Sequence, residues 1–331
     1  MLQYLIVLLD DTSASYCHYI NNMKPNPMPL NILKEGILYA MKENLMIQYI
    51  LPEYELPATY KELMNSVDYH IITPINSEDK DAFEVADAII FDNWNSLLNC
   101  ALEWNKNYVL RTSKGDFFNN YSWLNIAMKT AGRINVVFTD IDTFIDADFN
   151  LYDKALKGLI EILAREYSKG RFVQLNLITD RILLKEMNNC NAGVGNITLA
   201  PDGKFYICPG FYYDGTCNGD EVSLGEVCRK GFSVGSLSEG LNINNAQLFK
   251  LDYAPLCRTC DAYQCARCVW LNRKTTFEVN TPSHEQCVMA HLERNASRKF
   301  LEKIRESHEY FPDCEIKEIS YLDPFDVKKE W

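Results

Sequence analysis

Several features are missing from this 331-residue chain, and each absence removes a class of function. No uninterrupted apolar run approaches the roughly 18 residues that a membrane-spanning helix needs. There is no surplus of positive charge: 33 Lys and Arg stand against 45 Asp and Glu, a net charge of -12, so nothing supplies the basic face that a nucleic-acid backbone requires. No GxGxxG follows the first strand-like run, which sets aside an open dinucleotide-binding sheet. The opening Met1-Leu-Gln-Tyr-Leu-Ile-Val-Leu-Leu-Asp10 has neither a basic start nor a small-residue cleavage site, and it reads as a buried strand instead of an export signal. With 47% apolar and 24% charged residues, the expectation is a soluble, cytoplasmic protein with one large domain and a smaller one.

What the chain does have is cysteine, 12 in all. Without an export signal these belong to a reducing compartment, where CxxC pairs are ligands more often than disulfides. Two such pairs are packed into Cys257-Arg-Thr-Cys260-Asp-Ala-Tyr-Gln-Cys265-Ala-Arg-Cys268. A CxxC pair lets two thiolates from one tight turn reach the same metal, so two pairs this close serve one four-thiolate site or feed two neighbouring sites. Cys190, Cys208 and Cys287 bear on the same knot. Seven thiols exceed what one tetrahedral ion or one cluster uses, and two polynuclear centres, one of them a ligand short, are the economical account. A structural zinc with spare thiols is the alternative, and a chain without metal is the plainest one.

Upstream, short β-branched runs alternate with amphipathic helices, the pattern of a parallel sheet covered by helices. Strands are expected at Tyr4 to Leu9, Met46 to Leu51, Tyr69 to Thr73, Ala88 to Asp92, Tyr108 to Arg111, Asn135 to Thr139 and Phe172 to Ile178. The clearest helix runs from Asp148 to Lys169, with Tyr152, Leu156, Leu159, Ile160, Leu163 and Tyr167 on one face and Gly170 at its end. That many units suit an α/β fold of the partial (βα) barrel kind. After Met187 the periodicity vanishes and Pro201-Asp-Gly203 signals a hairpin pairing Asn196 to Ala200 with Lys204 to Cys208. A polar loop then carries Cys217 and Cys228, read as loop thiols. Thr281-Pro282 suggests the N-cap and first-turn proline of a last helix reaching about Tyr310, with Cys287 near its start. The domains expected are 1–187, 188–311 and a tail of 312–331.

Cys190, Gly203, Cys208, Cys257-x2-Cys260-x4-Cys265-x2-Cys268 and Cys287, in that order, resemble the seven-cysteine SPASM domain of radical S-adenosylmethionine enzymes that mature peptides. The central spacing is one residue shorter in each of the last two gaps than is usual there. The first half is similar to the barrel of those enzymes, so the resemblance spans most of the chain. More narrowly, Thr179-Asp-Arg181, Asn188-Asn-Cys190-Asn-Ala-Gly193 and Asn280-Thr-Pro-Ser-His-Glu-Gln-Cys287 look like the CXXX repeat peptide maturase family, associated with a cysteine-repeat ribosomal peptide (a RiPP).

Two departures qualify the resemblance. The family's CxxxCxxC loop after the first strand holds the cluster that cleaves S-adenosylmethionine. Here Leu9-Asp10-Asp-Thr-Ser-Ala14-Ser-Tyr-Cys17-His-Tyr19 puts Asp10 and Ala14 at two of the three thiol positions, and one thiolate does not hold a four-iron cluster. After the second strand the family has Gly-Gly-Glu-Pro; this chain has Leu51-Pro52-Glu53-Tyr54-Glu55-Leu56-Pro57, with side chains and fixed proline dihedrals where bare backbone is needed. The S-adenosylmethionine site is therefore expected to be lost.

By resemblance, Cys190, Cys208 and Cys268 match ligands of a first auxiliary 4Fe-4S cluster, and Cys257, Cys260, Cys265 and Cys287 the full set of a second. The open fourth position of the first falls to Cys217, Cys228, His284, a water or a cysteine of the bound peptide. The implied function is an iron-sulfur protein of peptide maturation without its own S-adenosylmethionine cleavage, acting in peptide binding, electron relay or as partner of a modifying enzyme. The implied partners are the precursor peptide and a companion modification protein, with no nucleic acid and no membrane. An active maturase using its auxiliary clusters is one alternative, and a zinc-stabilised interaction protein another. Catalytic residues stay unassigned. Cys17 beside His18 reads as a decayed cluster loop, Asp140 and Asp142 as helix-capping residues, and Cys100 as a packed thiol. His284 and His291 default to packing, with His284, three residues before Cys287, favoured as an outer-shell partner.

Overall fold

The computed structural model describes the chain apart from residues 1, 184–189, 215–231, 259, 261, 263, 264, 266, 307–309 and 317–331. Cys217, Cys228 and most of the 312–331 tail thus lie outside the described residues. Up to residue 91 the order is β1 (Tyr4–Leu8), α1 (Leu30–Glu43), β2 (Met46–Ile50), α2 (Ala58–Met64), β3 (Tyr69–Pro74), α3 (Lys80–Val85) and β4 (Ala88–Phe91). There follow α4 (Trp94–Asn99), β5 (Asn107–Thr112), α5 (Lys114–Asn120), α6 (Leu124–Ala127), β6 (Arg133–Phe138), α7 (Asp146–Tyr167), β7 (Gln174–Leu175) and α8 (Asn176–Leu183). The remainder is β8 (Asn196–Leu199), β9 (Lys204–Tyr206), α9 (Pro209–Asp214), β10 (Ser233–Ser236), β11 (Gly240–Leu241), α10 (Val269–Thr276) and α11 (His284–Arg305). These elements form two compact units, one of residues 1–91 with 191–250 and the other of 92–190 with 251–331.

The first unit is built on a sheet of order β11-β10-β9-β8-β1-β2-β3-β4, parallel from β8 through β4 and antiparallel from β8 to β11. Its centre is β1, which pairs with β2 on one side (Tyr4 opposite Met46) and β8 on the other (Tyr4 opposite Asn196). A strand covered on both faces reads as an unbroken apolar run, which is why Leu5 to Leu9 show no alternation and are all buried. Helix α1 buries Leu33, Gly36, Ile37 and Ala40 at helical spacing. At Gly36 the approach is so close that an added Cβ would stand 2.4 Å from Leu199 Cδ2 on β8. Between β8 and β9, Gly203 takes φ +76°, and Asp202 accepts the Lys204 N–H at 3.1 Å, which is the turn chemistry the Asp-Gly pair announced.

In the second unit β5, β6 and β7 lie parallel. Helix α7 covers them with the face expected from the sequence, and Phe117, Phe138 and Tyr152 meet edge to face at its start. Gly170, at φ +77°, follows its end. Two boundaries differ from expectation. The last strand is only Gln174–Leu175, because Asn176 takes over the ladder with its side chain: its Oδ1 accepts the Val136 N–H at 2.8 Å and its Nδ2 donates to the Val136 carbonyl at 2.9 Å. Thr179 Oγ1 likewise bonds both backbone groups of Leu175, and α8 starts where a strand to Ile178 was expected. Helix α11 begins at His284, with Ser283 as N-cap accepting the Gln286 N–H at 3.2 Å, instead of at Thr281-Pro282. Among the described residues, no helix is long and apolar enough to cross a membrane.

Candidate metal centre

The thiol knot belongs to the second unit, where a chain of tight turns leads into α10. The Cys257 N–H donates to Ala254 O, the Cys260 N–H to Cys257 O, and the Cys265 N–H to Ala262 O, each within 3.1 Å. The first CxxC therefore closes upon itself, as metal-binding turns do, and a further turn, Ala262 to Cys265, leads into the second pair. Burial raises the Cys265 thiol, and Glu293 and the sulfurs of Cys257 and Cys260 add to it against the pull of Arg181, so that it is pushed up to about 12. Such a group is a poor free nucleophile. As a ligand it gives up its proton to the metal that binds it. Cys268, the last of the knot, is the N-cap of α10 and accepts the Leu271 N–H on its sulfur at 3.4 Å.

Helix α11 meets the knot through an amide network. Gln286 accepts the Cys268 N–H at 3.1 Å and donates to Asn272 Oδ1 at 2.8 Å, while Asn272 Nδ2 donates to Val279 O at 2.9 Å. These bonds tie the first turn of α11, which carries Cys287, to the first turn of α10. One turn beyond Cys287 stands His291, 2% exposed, with Nε2 at 3.2 Å from Cys260 Sγ. Residues four apart share a helix face, so the Cys287 face of α11 fronts the knot. The Ala262 N–H reaches the same sulfur at 3.3 Å. The His284 ring lies against Phe149, and His291 is the histidine seen to touch a knot sulfur. Spacing held a usable signal for this in the Cys287–His291 interval. Behind the knot, Arg181 donates to Glu293 Oε2 at 2.9 Å and to Ala290 O at 3.2 Å, and the Tyr152 hydroxyl donates to Glu293 Oε1 at 2.7 Å. Arg181 acts on Cys265 electrostatically and lowers its thiol against the burial, whereas Glu293 raises it.

Of the remaining expected ligands, Cys190 belongs to the second unit with Cys268, and Cys208, at the end of the β8–β9 hairpin, to the first. By donor chemistry, Cys257, Cys260, Cys265 and Cys287 suit a four-thiolate centre: all four are soft ligands, the first two share one self-closed turn, Cys287 sits at a braced helix start, and two N–H donors are aimed at the Cys260 sulfur.

The loop after β1, in the first unit, has a different chemistry. Asp10 is wholly buried, and its carboxylate is enclosed by the chain's own donors: the Thr12 N–H and hydroxyl on Oδ1, the Asn26 N–H at 2.9 Å and the Tyr54 hydroxyl at 2.7 Å on Oδ2. Asp11 accepts from the Tyr212 hydroxyl and, at 3.0 Å, from Asn26 Nδ2. The Ala14 N–H donates to Leu51 O at 3.0 Å, and Ser13 Oγ to Ile50 O at 2.8 Å, sewing the loop to the end of β2. Burial and the Asp10 carboxylate both hold the Tyr54 phenol well above its usual range, so its proton stays in the bond. The two departures noted in the sequence are thus one structure, because Tyr54 of the β2 loop fills the space over Asp10 of the β1 loop. A cluster that cleaves S-adenosylmethionine does not fit these residues, which offer one thiol, on Cys17, and a carboxylate whose lone pairs are engaged.

A polar cavity of about 440 Å³ opens at the carboxyl ends of β5 and β6, lined by Asp92, Arg111, Ser113, Asp116 and Trp123 among others. Arg111, 8% exposed, is paired with Asp92. Asp140, expected to cap the helix after it, instead accepts the first N–H of α5, from Lys114, at 3.0 Å; burial still raises its carboxyl. Asp142 pairs with Lys274 at 2.6 Å.

Among solved structures, the chain resembles hexahistidine-tagged anSMEcpe with bound AdoMet, at TM-score 0.60 over 92% of this chain and 100% of that one, with 11% identity. The fold is shared. Native anSMEcpe with bound AdoMet and Cp18Cys peptide superposes at TM-score 0.59, and its complex with Kp18Cys peptide at 0.55, each at 11% identity. The α/β expectation is met at this level. No family model matches the sequence, and no curated protein matches it significantly.

Proposed function

We propose that this chain is an iron-sulfur protein of a peptide-maturation system whose barrel has given up cleavage of S-adenosylmethionine. The observation that carries the reading is the Asp10 carboxylate, wholly buried and bonded to Thr12, Asn26 and Tyr54 at the place where the resemblance sets the first cluster thiol. Cys257, Cys260, Cys265 and Cys287 are assigned to one 4Fe-4S cluster, and Cys190, Cys208 and Cys268 to a second whose fourth position is open to a thiol from the peptide. When bound, such clusters store an electron and offer an iron to a sulfur ligand. The chain's own part is to hold the sulfurs in place through the Gln286–Asn272 bridge. Residues 188–311 form the cluster-binding domain of this reading, and residues 1–187 its barrel. A cysteine-repeat precursor peptide is the partner it implies, and the structures of anSMEcpe with bound peptides lend that class support. The polar cavity at the ends of β5 and β6 is of the size and placement that takes a ligand side chain. A companion enzyme would then supply the radical chemistry.

Purification without oxygen, followed by iron, acid-labile sulfide and zinc analysis, tests the metal assignment. Four or more irons with matching sulfide are expected, and one or two zinc ions without sulfide would replace the reading with that of a zinc-stabilised interaction protein. Incubation with S-adenosylmethionine and dithionite tests the other half: no 5'-deoxyadenosine is expected, and its steady release by this chain alone overturns the lost-cofactor assignment.

A further inference from the structure

The bond between Cys260 Sγ and His291 Nε2, at 3.2 Å, has two possible directions in a metal-free protein, because either a thiol or an imidazole can give the proton. Metal removes one of them. A ligating sulfur has no proton left, so the contact survives loading only with Nε2–H as the donor. Cys260 then accepts two N–H bonds, one from the imidazole and one from the Ala262 backbone at 3.3 Å. His291 is held for this task by its place on α11, one turn past Cys287 and 2% exposed, and by the clamp of Arg181 on the Ala290 carbonyl next to it. Of the charges behind the knot, Arg181 is paired with Glu293 at 2.9 Å and Glu293 also takes the Tyr152 hydroxyl.

We infer that His291 is a positioning residue for the cluster of Cys257, Cys260, Cys265 and Cys287: its Nε2–H orients the Cys260 thiolate and draws charge from that sulfur, so the cluster is more easily reduced. Hydrogen bonds to ligand sulfur are among the levers that set iron-sulfur potentials, and outer partners of ligands are worth roughly 10- to 100-fold in metal affinity. The inference rests on the cluster assignment made above. The couple concerned is one electron passed from a dissolved redox dye to the oxidised cluster, with no bond made or broken.

The test compares wild type with His291→Leu and His291→Gln, purified without oxygen and titrated with mediator dyes while the reduced cluster is followed by EPR. His291→Leu is expected to shift the reduced-to-oxidised ratio at fixed potential by roughly tenfold toward oxidised, which is about 59 mV lower for one electron. His291→Gln, which keeps an N–H donor, is expected to recover much of the difference. A leucine variant with full iron and sulfide and an unchanged potential overturns the inference. Should leucine prevent assembly, wild type grown with ¹⁵N-histidine decides by pulsed EPR: a weak ring-nitrogen coupling to the reduced cluster is expected, and its absence overturns the inference. Wild type without iron and sulfide is a separate result, and it removes the cluster assignment itself.

Discussion

Tyr54 and Asp10 show how a single residue can close a site. The half-buried phenol donates at 2.7 Å to the wholly buried Asp10 carboxylate, so Tyr54→Phe leaves its Oδ2 with the Asn26 N–H alone. A loss of about 1–3 kcal/mol is expected, measurable as a lower midpoint in urea. Restoring thiols at Asp10→Cys and Ala14→Cys rebuilds the CxxxCxxC order with Cys17, yet Tyr54 and the prolines 52 and 57 still occupy the β2 loop. That double variant is expected to release no 5'-deoxyadenosine and to unfold more easily than wild type. At the other centre, Cys257→Ala or Cys265→Ala should abolish the near-ultraviolet signal of the second unit, while Cys100→Ser, a half-buried thiol outside the knot, should leave stability within about 0.5 kcal/mol. A soluble Cys265→Ala protein with native tertiary signal would show that no cluster holds that unit together.

Among the elements, the end of α7 and the β8–β9 hairpin carry predictions of their own. Burial alone would raise the Glu166 carboxyl, but the bonds from Lys169 at 3.0 Å and Arg171 outweigh it and hold it below its ordinary 4.5. A carboxyl depressed on folding adds stability above its unfolded value and loses that stability as pH falls through its folded value. Glu166→Gln should therefore cost about 2 kcal/mol at pH 7, and thermal scans of variant and wild type should draw together as the pH falls below the ordinary 4.5. In the hairpin, Gly203 at φ +76° makes Gly203→Ala worth a loss of about 1–2 kcal/mol in the same scans. These elements were legible in advance because their signals are local: an Asp-Gly turn, a helical stripe and a glycine stop. The short β7 was not, because the side chains of Asn176 and Thr179 replace backbone bonds from across the sheet, and no period in the sequence records that. Nor was α9 (Pro209–Asp214), whose aromatic run carries no helical period of its own. The knot was readable from cysteine spacing. Its setting in Gln286, Asn272 and Arg181 was hidden, since those partners lie on other helices, whereas His291 left a trace in its four-residue step from Cys287.

For the molecule as a whole, chain order and spatial order part company. The first compact unit takes residues 1–91 and then 191–250, with the second unit's opening stretch between them. The strand at its heart, β1, has its partner β8 at Asn196–Leu199, nearly two hundred residues later in synthesis. At translation rates of about 5–20 residues per second, the nascent chain displays Leu5 to Leu9 beside a bare row of amide and carbonyl groups for ten seconds or more. Fragments stopped before Asn196 should therefore be recovered in the insoluble fraction or bound to chaperones, whereas fragments carried past Tyr206 should lose much of that stickiness. The ribosome, in effect, must hold an adhesive ribbon clear of its neighbours until the matching edge is born.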